Sequence, residues 1–141
     1  MTPEELVVVG ATWADLSPRA AALGEAFYRH LFRLHPEVRE LFPDDLGDQQ
    51  DKFTAELEVL VSVLGDFGTF LDRTADLGGS HAAYGVRAAH YRASRDALLA
   101  ALSEVGGPEL ARGHPSGALE AWAGVHDLVA ERMMTARAPS G

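Results

Sequence analysis

The chain has 141 residues, enough for one domain that buries its own core. Hydrophobic residues make up 47% of it, which excludes disorder, and a formal net charge of -9 argues against sequence-independent nucleic-acid binding, since a phosphate backbone needs a basic face. It contains no cysteine, and therefore no disulfide, thiolate metal site, iron–sulfur cluster or thiolate nucleophile.

Thr2-Pro3-Glu4-Glu5 has the pattern of a capping box with proline in the first turn, and it predicts a first helix to about Asp15. The apolar stretch at 6–14 is interrupted by Gly10, is too short to span a bilayer and follows two glutamates. It is neither a membrane anchor nor a signal peptide, so a soluble cytoplasmic protein without a membrane partner is expected. Ser17-Pro18 predicts the start of a second helix with an inward stripe of Leu23, Phe27, Leu31 and Leu34. Tyr28 lies beside that stripe, and Arg29, His30 and Arg33 turn toward solvent. Pro36 ends this helix and begins a short third one through Val38, Leu41 and Phe42.

Residues 43–48, polar with Asp, Pro and Gly, predict a loop. From Gln49, the residues Phe53, Leu57, Leu60, Val61 and Leu64 keep helical spacing. Residues 65–68 break the pattern, and 69–84 predict a short helix. Leu77, His81 and Tyr84 fall there at i, i+4 and i+7, so one face carries an imidazole between two apolar groups. Read alone, such a histidine is either hydrogen-bonded core or a ligand. Gly85 can end that helix by adopting positive φ.

Two longer helices are predicted at 88–105 and 116–136. The first buries Tyr91, Leu98, Leu102 and Val105; the second buries Leu119, Trp122, Val125, Val129 and Met133. A loop at 106–115, with three glycines and two prolines, joins them. No stretch alternates with period two and no internal repeat is found. The expectation is a single all-α domain over 1–141, of about seven unequal helices, with a frayed tail at 137–141.

Four residues need weighing together: Tyr28, Phe42, Gln49 and His81. A buried Tyr28 hydroxyl requires a partner, and leaving it unsatisfied costs roughly 1–3 kcal/mol. Gln49 and Phe53, four apart at a helix start, face the same space. Phe42 ends a short helix before a polar loop, an odd place for an aromatic that only packs. The bland account of each, as core or surface, stays open at this point.

Their order resembles the globin family, in particular bacterial single-domain globins and the globin part of flavohaemoglobins. The resemblance covers 6–134 and rests on Phe27-Tyr28, His35-Pro36, Leu41-Phe42-Pro43 and Gln49-Gln50-Asp51-Lys52-Phe53. It continues through Leu77, His81, Tyr84-Gly85-Val86, His90-Tyr91, Leu98-Leu99 and Ala121-Trp122. It implies a globin fold packed around haem b, with His81 as the ligand of its iron. By the same resemblance Phe42 lies flat on the haem, Leu77 and Val86 touch its proximal side, and Tyr91 belongs to that side too. Tyr28 and Gln49 correspond to the distal pair above the open iron position, with Phe53 as a lid and Lys52 at the edge, near a propionate. Gln50 is the alternative to Gln49, because the loop before it is shorter than in flavohaemoglobins.

Two positions depart from the flavohaemoglobin pattern. The glutamate that polarises the proximal histidine there corresponds to Arg137 here, and Glu131 does not align with it. Ser94-Arg95 stands where Val-Gly is usual, which leaves Arg95 either near the haem or on the surface. The remaining histidines, His30, His35, His90, His114 and His126, lack paired ligand spacing, and His126 is expected to hydrogen-bond within the core.

The resemblance implies reversible dioxygen binding, as in oxygen transport. A second reading is oxidation of nitric oxide to nitrate by bound dioxygen, dependent on an external reductase because no flavin or nicotinamide segment is visible. A third is a haem-based or haem-free sensor, which is expected to lose the histidine or the flat phenylalanine or to carry an output domain.

Overall fold

A computed structural model describes residues 3–64, 66, 72–74, 88–106 and 117–137, with side chains omitted at 88, 89 and 134–137. Among these residues all regular structure is helical. It forms α1 (Pro3–Leu16), a 3-10 turn (Ser17–Arg19), α2 (Ala20–Leu34), a second 3-10 segment (Pro36–Leu41), α3 (Gly47–Val63), α4 (Ala88–Gly106) and α5 (Ala118–Arg137). Residues 72–74 are also helical. No helix among the described residues is long and apolar enough to cross a membrane. The expected capping residue Thr2 and most of the expected 69–84 helix lie outside the described residues.

Helix α2 is the central element: it packs against α4 along much of its length and crosses α3, while α5 covers α4 and α1. Its apolar positions at three- and four-residue spacing explain this, because Leu23, Phe27 and Leu31 are all buried. Leu34, expected in the same stripe, is 40% exposed. It occupies the last position of α2, where the chain turns at His35 ahead of Pro36. Tyr28 is more buried than its place beside the stripe implied, at 3% exposure.

The predicted loop at 43–48 is shorter than expected, because α3 begins at Gly47. The Asp45 carboxylate accepts from the Gly47 N–H at 2.9 Å, and Asp48 in the first turn suits the helix dipole. The core joins α1, α2, α4 and α5 around Trp122, Leu16, Leu23 and Leu102. Trp122 Nε1 donates to Thr12 Oγ1 at 2.7 Å, and Thr12 donates on to the Val8 carbonyl at 2.8 Å, so the buried indole is satisfied. Helix α3 differs from the others. Of its apolar positions only Leu60 is buried, whereas Phe53, Leu57, Val61 and Leu64 pack on the core while staying half-open.

Candidate functional site

The site grows from the α2–α3 crossing. Gly24 on α2 lets the helices approach: a Cβ there would lie 3.0 Å from Thr54 Cγ2 and 3.4 Å from the Gln50 carbonyl oxygen. One helical turn further along α2, Phe27 stacks on Phe53 of α3, with centroids 4.1 Å apart and planes 14° apart. Tyr28 then meets Phe53 edge-on at 5.8 Å and Phe42 edge-on at 5.5 Å. The arrangement encloses the phenol in aromatic edges and leaves its hydroxyl as the polar point of an apolar cluster.

Gln49 reaches that hydroxyl. Its Nε2 donates to Tyr28 Oη at 3.1 Å, a bond that is partly buried. Since the phenolic oxygen accepts here, its own proton is not used in this bond, and no acceptor for it occurs among the described residues. Burial pushes the Tyr28 phenol above its ordinary value of 10.0, opposed in part by the Gln49 hydrogen bond, so the group is a neutral donor at physiological pH. Gln50 sits at the Gly24 contact instead, where its backbone and Cβ face α2. Of the two glutamines, the one bonded to Tyr28 is Gln49.

The structure thus brings Tyr28, Phe42, Gln49 and Phe53 together. Lys52 is exposed on α3, and Tyr91 is buried in a separate cluster with Ala130 and Met133. His81, Leu77 and Val86 lie outside the described residues. Arg95 pairs with Asp127 at 3.1 Å on the surface of α4 and α5, with side chains 41% and 58% exposed; it is an outward ion pair. His126 hydrogen-bonds Ser94 Oγ at 3.1 Å, and burial, the largest influence, lowers its pKa against the opposing Asp127 carboxylate. His30 bonds Glu104 at 2.9 Å, and His35 bonds Asp96 at 3.2 Å. Arg29 grips the same Glu104 carboxylate at 2.7 and 2.8 Å, and these partners hold it down to about 2.

Sequence reasoning missed Gly24, Phe27, Phe32 and Arg39. Phe27 was visible as an apolar residue but not as the stacking partner of Phe53. Arg39 carried no signal beyond its place three residues before Phe42.

The half-open α3 face and the adjoining phenol form a test for a flat apolar group with a polar ligand. Phe53, Leu57, Val61 and Leu64 supply partly exposed apolar surface, Phe42 supplies an aromatic edge beside the phenol, and Tyr28 supplies one unspent donor. These residues fit such a group.

The model of the Globin family matches residues 25–133. Relatives named flavohemoprotein include those of Bordetella pertussis, 28% identical over 95% of this chain, and Bacillus cereus, 23% identical over 98% of it. The chain spans about a third of the length of these relatives, 33% and 34% respectively. Among solved structures, an engineered carbene transferase from Rhodothermus marinus, described as a candidate nitric oxide dioxygenase, matches with a TM-score of 0.85. It is 26% identical, over 98% of this chain and 94% of that one.

Proposed function

The chain belongs to the globin family, and on that premise we propose that it holds haem b and binds dioxygen reversibly, with Tyr28 and Gln49 at the distal side. In this reading His81 is the ligand of the iron, and Leu77, Val86 and Tyr91 contact the proximal side. Phe42 packs on the haem, Phe53 closes the space beside Tyr28, and the exposed Lys52 pairs with a propionate at the rim. The haem, when bound, supplies the iron at which a diatomic gas is held.

What the chain itself contributes is polarity and dryness. Gln49 donates to Tyr28 Oη and orients the phenol, which leaves the phenolic proton directed away from the amide. A dioxygen molecule beside it gains a hydrogen bond worth about 1 kcal/mol or more in a low-dielectric space. Phe27, Phe42 and Phe53 exclude water from that donor. The single observation that carries the proposal is a neutral buried phenol, oriented by Gln49, beside an apolar helix face that stays half-open.

A second reading, oxidation of nitric oxide to nitrate, draws on the names of the relatives. Nitric oxide, dioxygen and one electron give nitrate, so each turnover requires a reductant that delivers one electron. The same Tyr28–Gln49 pair serves both readings.

The test is haem retention. Unmodified protein is expected to take up one haem, and His81→Ala is expected to lose it to a scavenger within the time the unmodified protein retains it. Equal retention in His81→Ala would remove the ligand assignment.

A further inference from the structure

We propose that Arg39 is a positioning residue that fixes Phe42, and through it Tyr28, by wrapping the turn after the second 3-10 segment around one guanidinium. The proposal rests on the haem reading above. Phe42 is extended, with φ -123° and ψ 153°, and it is the first residue past that segment. Pro43 follows and has no N–H to donate. The Phe42 N–H donates to the Arg39 carbonyl at 3.2 Å, but among the described residues no backbone N–H from 43 to 46 donates to another backbone group, so main-chain bonding does little to hold the turn beyond Phe42.

Arg39 supplies what the main chain lacks. Its Nη1 donates to the carbonyls of Phe42 at 3.2 Å and Pro43 at 2.9 Å, and its Nη2 donates to that of Asp44 at 3.0 Å. Three successive carbonyls converge on one cation only if the chain curls around it. The guanidinium also lies over the Phe32 ring, 5.0 Å from its centroid. Phe32 meets Phe42 edge-on at 5.5 Å, and Phe42 meets Tyr28 at 5.5 Å. Contacts therefore run without a gap from Arg39 to the phenol.

A planar fork with fixed donors suits this task, and a lysine does not. An ammonium is a point charge that cannot hold three carbonyls and stack on a ring together. Without Arg39 these carbonyls turn to water, and Phe42 gains freedom to swing away from Tyr28.

The experiment compares unmodified protein with Arg39→Met, which keeps length without donors, and Arg39→Lys. Haem-loaded samples are mixed with excess apomyoglobin, and backbone amide exchange at Phe42 is followed in the haem-free protein. Haem loss in Arg39→Met is expected to rise on the order of tenfold, with Arg39→Lys between the two. The Phe42 amide, whose N–H donates to the Arg39 carbonyl at 3.2 Å, is expected to exchange faster in Arg39→Met while those of α4 do not change, a local pattern that general loss of stability does not produce. If Arg39→Met does not fold, Arg39→Lys decides the same comparison. Haem uptake by all forms with equal rates of loss overturns the role of Arg39 alone. No uptake by the unmodified protein overturns the haem reading, and the role of Arg39 with it.

Discussion

Gln49 Nε2 and Tyr28 Oη lie 3.1 Å apart across the α2–α3 crossing, with the amide as donor and the phenol as acceptor. The direction of this bond makes the two residues unequal. Tyr28 holds the proton available to a ligand, and Gln49 orients it. Tyr28→Phe is therefore expected to raise the dioxygen dissociation rate by about tenfold, the loss of one hydrogen bond in a dry space. Gln49→Leu is expected to raise it less. Stopped-flow replacement of dioxygen by carbon monoxide reads both, and an unchanged rate in Tyr28→Phe contradicts the distal assignment.

The crossing that holds this pair depends on Gly24. In Gly24→Ala the new methyl meets Thr54 Cγ2 at 3.0 Å, and Thr54 is held by bonds from its Oγ1 to the carbonyls of Asp51 at 3.1 Å and Gln50 at 3.3 Å. Overpacking costs about 1–3 kcal/mol and the helix-propensity gain returns about 1 kcal/mol, so net destabilisation near 1 kcal/mol is expected. Thr54→Ser removes Cγ2 and is expected to relieve most of that cost. Urea unfolding of both single variants and the double variant measures the coupling, and additive effects contradict the close approach.

Much of this architecture was legible in the sequence because α2, α4 and α5 bury periodic apolar stripes, and Pro36 marks the end of α2. Both glutamines fall in the first turns of α3, and Gln49 is the one that bonds Tyr28. Other features were not legible. The start of α3 at Gly47 depends on the Asp45 side chain closing a turn, which looks like loop composition in the sequence. Arg95 found Asp127 across 32 positions, and Arg39 found three carbonyls; neither pairing leaves a periodic trace. Leu34 shows the converse, since the stripe continues in sequence to the last residue of α2, where the side chain is 40% exposed.

Trp122 is 1% exposed and gives its indole N–H to Thr12 at 2.7 Å. Thr12→Val keeps the shape and removes the acceptor, so a loss of about 1–3 kcal/mol of unfolding free energy is expected. In a Trp122→Phe background the same change is expected to cost much less. Chemical denaturation followed by far-ultraviolet circular dichroism measures both, and an equal cost in the two backgrounds contradicts the account.

His126 gives a pH dependence with a definite sign. Burial depresses its folded pKa below the ordinary 6.5, with Ser94 and Asp127 as its hydrogen-bond partners and Arg95 and Asp96 nearby. The unfolded chain therefore binds more protons between the folded and unfolded values. This contribution to stability is present above about pH 6.5 and is lost as pH falls through the folded value. His126→Gln is expected to lose less stability than the unmodified protein between about pH 8 and pH 5. Parallel slopes in denaturation series at both pH values contradict a buried neutral imidazole.

The most direct test of the central claim is the absorption spectrum of the purified protein mixed with haem, recorded in ferric, ferrous and oxygenated forms. The account predicts stoichiometric uptake and an oxygenated spectrum that persists and reverts to the ferrous form when dioxygen is removed. Failure to take up haem, or uptake without a reversible oxygenated form, contradicts it.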